Sequence, residues 1–395
     1  MSRATRWLAD LRGLPARTPR AAVALVAVAL LGWTLIEVVP RYAVERHRGE
    51  APGRLDRPSF LIGDCPYYRA TLVSLLEDHD LNVRNNLTDE RYALPSNVAL
   101  GRNGAFYPKH PILLAVAALP FYVVAGDAGL LAFNLAQLGA LVLVMWIGAR
   151  RYAPDWVAFA LIIWFAFGTL LRSAAYNFAP DVLSTLLVAG GVVALLHDRS
   201  VTAGALLGLS LWAKWTNLVF FPVALATLAA RREWRALLRF GAAGAVPLMG
   251  LLGMNWHMFG SPLVTPYDRV LVVSKARWVL EPSHRTFFTV PFWRGLWTQL
   301  TDARMGLFRA APPLLLALPG FAPLYRRDRR ATLLVGGACA AQLAVFAKYD
   351  QWNVSSYGPR FLLSVVALCA LPAAAALAAV VKRVHAYLRP TDAVA

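Results

Sequence analysis

Leu61-Ile62-Gly63-Asp64-Cys65-Pro66-Tyr67-Tyr68 decides how this chain is read. The stretch follows the first hydrophobic run, residues 21–39, and lies in a polar loop over about residues 40–110. Around it stand Arg69, Glu77, Asp78, His79, Asp80, Asn82, Arg84, Asn85 and Asn86, whereas most other long stretches are apolar. An acid placed there sits beside a membrane but outside its hydrocarbon. A lipid-embedded chain that keeps such a loop against its body points to chemistry in the loop, with Asp64 as the leading catalytic carboxylate. The same residues also have a structural reading. Asp is a favoured N-cap, and Pro66 suits a first helical turn. Tyr68, Leu72, Leu75 and Leu76 share one face and Arg69 takes another, which predicts an amphipathic helix over residues 66–76 at the membrane interface.

Outside the loop the chain is oily. Hydrophobic residues make up 58% of its 395 positions, and mean hydropathy is +0.50. The apolar residues fall in long blocks, so the fold class is an all-α polytopic membrane protein. The net charge of +18 would suggest nucleic acid in a soluble chain. Here Arg and Lys cluster at the ends of apolar blocks, where the positive-inside rule accounts for them, and nucleic acid is not expected as a partner. Cys65, Cys339 and Cys369 imply no disulfide framework.

Arg3, Arg6, Arg12, Arg17 and Arg20 place residues 1–20 in the cytoplasm and send residue 40 onward outside. The run 21–39 reads as a retained helix, not a removed signal. Further spans are expected near 111–125, 129–148, 155–171, 180–196, 201–213, 218–230, 238–258, 311–325, 331–347 and 361–381. Outside loops over about 259–310 and 348–360 join the first, and residues 382–395 form a tail. The membrane domain is thus 21–381. Eleven crossings would put the tail outside, yet Lys382-Arg383 argues for inside, so the count is held at ten to twelve. Residues 201–230, split by Lys214-Trp215-Thr216-Asn217, are the block whose count is most open. In the 259–310 loop, Trp278, Phe287, Phe288, Phe292, Trp293 and Trp297 are mixed with Arg269, Lys275, Arg277, His284 and Arg285, as in a headgroup-level belt.

Several motifs recur in order. Gly63-Asp64-Cys65-Pro66-Tyr67-Tyr68 comes soon after the first span, and Tyr107-Pro108-Lys109-His110-Pro111 precedes the next. Asn255-Trp256-His257-Met258-Phe259-Gly260-Ser261-Pro262, Gly306-Leu307-Phe308 with Pro312-Pro313, and Tyr357-Gly358-Pro359-Arg360-Phe361 follow. The set resembles the multi-spanning GT-C glycosyltransferases, which include protein O-mannosyltransferases and the bacterial aminoarabinose transferase. The resemblance covers about residues 60 to 361. It implies sugar transfer from a polyprenyl-phosphate donor to a cell-envelope acceptor on the outer face of the inner membrane, with Asp64 as catalytic carboxylate. Many relatives carry two adjacent acids where this chain has Asp64-Cys65. The large C-terminal soluble domain of some relatives is not expected here.

Each residue singled out has two readings. Asp64 is a base that takes the acceptor proton, its pKa raised by the apolar boundary, or a helix cap, or both. Lys109, His110 and Arg360 would stabilise the phosphate leaving group, and Arg suits bidentate contact; Arg360 could instead snorkel from the following span. The Glu77-Asp78-His79-Asp80 run could hold a divalent cation, although Asp78 reads better as a solvated helix end. No resident cofactor is called for otherwise. Asp80 and Asn85 fit an acidic-Leu-x-x-x-Asn pattern of the relatives, and Tyr67, Tyr357 and Asp181 complete the candidates. Asp181 is functional or paired with Arg172, and Lys214 reaches a phosphate or snorkels. A transporter, a lipid-binding protein or an inactive relative is the alternative, and a transporter should show paired broken helices and internal symmetry.

Overall fold

The structure, a computed structural model, describes residues 29, 32–38, 64–88, 96–274, 277–352 and 358–387. The polar loop supplies α1 (Cys65–Val73), which continues as a wider π-type turn over Ser74–Asp78. Two short strands follow, β1 (Ser96–Leu100) and β2 (Phe106–Pro108). Next come α2 (Leu113–Ala149), α3 (Asp155–Phe167), α4 (Asp181–Leu196), α5 (Ser200–Ser210), α6 (Phe220–Ala230) and α7 (Trp234–Phe259). The second loop carries β3 (Val270–Ser274), β4 (Arg277–Leu280) and α8 (Phe292–Thr301). The chain closes with α9 (Leu314–Arg327), α10 (Arg329–Lys348) and α11 (Ala370–Tyr387).

The fold is mostly helical, as the apolar blocks predict. Leu113–Ala149, Trp234–Phe259, Arg329–Lys348 and Arg360–His385 are long and apolar enough to cross a membrane. The shorter apolar helices are held by packing. Gly204 of α5 lies so close to α7 that an added Cβ would collide with the Phe240 carbonyl, the close backbone approach that small residues allow between membrane helices. Phe165, Phe220, Phe240 and Tyr152 lie fully buried in the same core.

Contacts between the turns sort the helices into legs with two distinct ends. At one end, Arg151 donates to the Leu196 carbonyl, Arg327 to the Arg151 and Tyr152 carbonyls, and Arg330 to the Leu195 carbonyl. Asp198, Glu233 and Asp328 face these arginines. Asp64, His110, Asp181, Lys214 and Arg360 meet at the other end. The block 201–230 is therefore a pair of legs, running from Ser200 up to Lys214 and back to Arg231. The miscounted block is 111–125. Ala125 and Gly126 leave helical geometry, Gly126 at φ +56°. The Phe121 and Phe133 ring centroids then lie 5.2 Å apart, although twelve residues of straight helix would separate them by about 18 Å. The first part of α2 thus folds back at the site end and does not reach the basic end. The described legs are odd in number, and adding the run 21–39, which lies mostly outside the described residues, agrees with the charge of Lys382-Arg383.

Two further features depart from expectation. The helix after Asp64 is more deeply buried than an interface-lying amphipath: Cys65, Tyr68, Ala70, Thr71, Leu72 and Val73 are buried, while Pro66, Tyr67 and Arg69 stay partly exposed and Arg69 pairs with Asp127. The loops also hold a four-stranded sheet of order β2-β1-β3-β4, a small addition to an otherwise helical fold. β1 pairs antiparallel with β3, Val98 opposite Leu271, which ties the first long loop to the second.

Candidate functional site

Asp64 occupies the N-cap position of α1, yet its side chain makes no capping hydrogen bond. The cap reading is therefore set aside. Its Oδ2 accepts from Arg360 Nη2 at 2.6 Å, and its Oδ1 stands 3.5 Å from His110 Nε2, an ion-pair distance without hydrogen-bond alignment. A quarter of the Asp64 side chain is exposed. Arg360 is therefore not merely snorkelling: it is fixed across 296 residues of sequence. Its backbone is held by Gln342, whose Nε2 donates to the Phe361 carbonyl at 2.7 Å, and by Phe361 stacking on Phe346 at 5.1 Å.

These contacts overturn one expectation about charge. Burial alone would raise the Asp64 carboxyl, but the charges of His110 and Arg360 outweigh it and hold the group well below the usual carboxylate range. Burial also lowers His110, so near neutral pH the standing positive partner is the Arg360 guanidinium. Lys109 is lowered by burial too, against the opposing pull of Asp64 and Glu281, which places it in the same field. Beside Asp64, Cys65 is buried and burial pushes its thiol up, so it stays protonated and supplies no second acid.

A second carboxylate lies behind the first. Asp181 begins α4, is 1% exposed, and pairs with Lys214. Its Oδ2 is also 4.0 Å from Arg360 Nη1. Arg172, the partner considered from sequence, instead faces Glu37 at 3.4 Å. Lys214 thus neither snorkels nor stands alone, and its ammonium also lies 5.4 Å from the Phe361 ring. Asn217, whose Nδ2 donates to Ser184 Oγ at 2.8 Å and to the Ser210 carbonyl at 2.9 Å, braces the turn that carries Lys214. The result is an alternating row, Asp64, Arg360, Asp181, Lys214, drawn from four separate parts of the chain.

Not every candidate joins this row. Tyr67 stands beside His110, ring centroids 6.3 Å apart. Asp80 follows the π-type turn and folds back onto Ser74, about 15 Å along the helix axis from Asp64. Its Oδ1 accepts from Ser74 Oγ and the Asn82 amide, while Asn82 Oδ1 accepts from the Phe106 amide. That segment anchors β2, and Asn85 is exposed there. Asp78 faces Asn86 at 3.4 Å. Among the described residues no group of three or more His, Cys, Asp or Glu is placed to hold a metal ion. Tyr357 lies outside the described residues.

Sequence reasoning missed Tyr267. Its hydroxyl is 3.3 Å from His110 Nδ1, and His284 lies beyond it at 5.3 Å between ring centroids. The signal was available: Thr265-Pro266-Tyr267-Asp268 is a helix-start pattern, and Thr265 and Asp268 close a reciprocal capping box around Tyr267. Asp268 also accepts from Ser283 and Arg285, which fixes the turn.

The chain was compared with known proteins. The family profile described as glycosyltransferase family 87 matches residues 109–347. No curated protein matches. The crystal structure of ArnT from Cupriavidus metallidurans in the apo state is similar at TM-score 0.52 and 14% identity, over 88% of this chain and 60% of that one. At that identity the likeness concerns the fold, and this chain spans about three-fifths of the ArnT chain.

Proposed function

Because this chain belongs to glycosyltransferase family 87, with more than half its length inside the family match, we propose that it moves a sugar from a polyprenyl-phosphate donor to a cell-envelope acceptor. The reaction takes place on the extracytoplasmic side of the inner membrane. The observation that carries this reading is the Asp64–Arg360 pair, a carboxylate and a guanidinium held together at the end opposite the arginine-rich turns. The positive-inside rule puts those turns in the cytoplasm and supports the opposite face for the site.

The acceptor hydroxyl attacks the sugar carbon as Asp64 takes its proton, and the phosphate leaves with the bonding electron pair. Arg360 and Lys109 meet the charge on the phosphate, where fixed cations in a dry site act most strongly. An Asp64 held by Arg360 is a weak base, so the donor phosphate must draw the guanidinium toward itself. Asp181, already 4.0 Å from Arg360, offers the guanidinium a second carboxylate during that exchange. Asp64 then regains basicity only when a donor is in place.

The test uses the full chain in proteoliposomes with a panel of radiolabelled polyprenyl-phosphate sugars and envelope lipid extract. Transfer by the wild type that disappears in Asp64→Asn supports the reading. Undiminished transfer by Asp64→Asn removes it. Mass spectrometry of envelope glycans and lipids from a deletion strain identifies the missing product.

A further inference from the structure

Resting on Asp64 as the base, one question stays open: where the acceptor's proton goes. Asp64 beside Arg360 holds a proton poorly. An imidazole ordinarily holds one about two and a half pH units more firmly than an aspartate. The only imidazole in contact with Asp64 among the described residues is His110, and its two nitrogens face two different groups. Nε2 lies 3.5 Å from Asp64 Oδ1 and has no aligned hydrogen-bond partner among the described residues. Nδ1 lies 3.3 Å from the Tyr267 hydroxyl. The ring is stacked on Tyr68 at 5.1 Å, and the residue is 8% exposed, so it cannot turn freely. Pro108 and Pro111 bracket it in sequence.

We infer that His110 is the proton acceptor behind Asp64, and that Tyr267 is a positioning residue that accepts from Nδ1–H, so that the Nε2 lone pair is open to the proton once it has reached Asp64. In the transfer step the acceptor O–H bond breaks as the bond from its oxygen to the sugar carbon forms. The carbon–phosphate-oxygen bond breaks, and its electron pair leaves with the polyprenyl phosphate. The proton passes from the acceptor to Asp64 Oδ1 and on to His110 Nε2, giving an imidazolium whose Nδ1–H donates to Tyr267. Between turnovers the imidazolium loses its proton to water.

Charged and ring groups face His110 from several elements. Asp64 at the start of α1 favours the cation, while Lys109 and Arg360 oppose it. Tyr67 and Tyr68 of α1 and Tyr267 of the second loop surround the ring, and His284 lies behind Tyr267. Burial keeps the resting imidazole neutral and therefore ready to accept.

Two experiments test the inference. In the proteoliposome transfer assay, His110→Gln is expected to lower kcat about 100-fold, with donor KM changed no more than about twofold. It should also erase the acid limb of the pH profile. Tyr267→Phe should keep the limb but move it to lower pH, because the imidazolium loses its hydrogen-bond acceptor. An acid limb unchanged in both variants overturns the proposal. The second experiment needs no turnover: nitrogen-15 NMR of histidine-labelled protein, with His110→Gln supplying the assignment. A neutral, Nδ1-protonated His110 at pH 7, whose signal moves in both Asp64→Asn and Tyr267→Phe, supports it. A His110 already cationic at pH 7, or indifferent to both changes, overturns it. If no donor is turned over by the wild type, the transferase reading fails while the NMR still decides the His110 assignment.

Discussion

The two ends of the helical legs use the same residue types in opposite ways. At the basic end, arginines close helix turns by donating to main-chain carbonyls: Arg151 to Leu196, Arg327 to Arg151 and Tyr152, Arg330 to Leu195. A carbonyl cannot leave its helix, so these arginines are fixed. At the site end, the described pairs set charge against charge through side chains, as in Asp64 with Arg360 and Asp181 with Lys214. Such pairs can exchange partners when an anionic ligand arrives. The contrast separates a clasp from a working site, and it can be broken experimentally.

The largest effect is expected at Asp64. Asp64→Asn should lower transfer about 100- to 10,000-fold, since it removes a proton acceptor, while the protein keeps its melting temperature. A loss of folding instead would place Asp64 in the clasp category. Next comes the buried pair. Asp181→Asn should cost about 3–5 kcal/mol of stability, because it leaves the buried Lys214 ammonium unpaired, and Lys214→Met should cost less, because Asp181 keeps Arg360 at 4.0 Å. The double variant should recover most of that loss, and denaturant unfolding in detergent measures both. Additive losses would mean that the two residues are not coupled.

At the basic end, Arg330→Gln should cost about 1–3 kcal/mol through the lost charged hydrogen bonds, with transfer per folded molecule unchanged. A specific fall in kcat would erase the distinction between the ends. The smallest effect concerns pH. Burial lowers His284 to about 4, against an unfolded value of about 6.5. The unfolded chain therefore binds this proton more readily, so the contribution of neutral His284 is full above about pH 6.5 and declines as pH falls toward 4. Melting temperature in that window should fall less in His284→Gln than in the wild type.

Much of the fold was legible because its signals are local. Nearly every apolar block became a helix within a few residues of its expected bounds, since burial and span length follow from composition alone. The reversal at Ala125 and Gly126 was not legible, because two apolar runs with a short break look like two crossings. β3 carried a readable Val270-Leu271-Val272-Val273 run, but β1 and β2 are too short to mark themselves within a polar loop. Asp64, Lys109, His110 and Arg360 stood out as polar residues beside spans. Their geometry did not, and the expected upward shift of Asp64 turned downward once His110 and Arg360 were found against it.

By itself, the sequence determined a helical membrane protein with arginine-rich turns and a polar loop holding an acid at its edge. Hydropathy, charge and periodicity act over a few residues and need no knowledge of neighbours. Only the tertiary structure decided that Asp64 meets Arg360, that Asp181 meets Lys214 and not Arg172, and that Tyr267 stands behind His110. Those partners lie 296, 33 and 157 residues apart. Their meeting is fixed by how the legs and the small sheet pack, and ionic and hydrogen-bond energies depend on distances that no local pattern encodes.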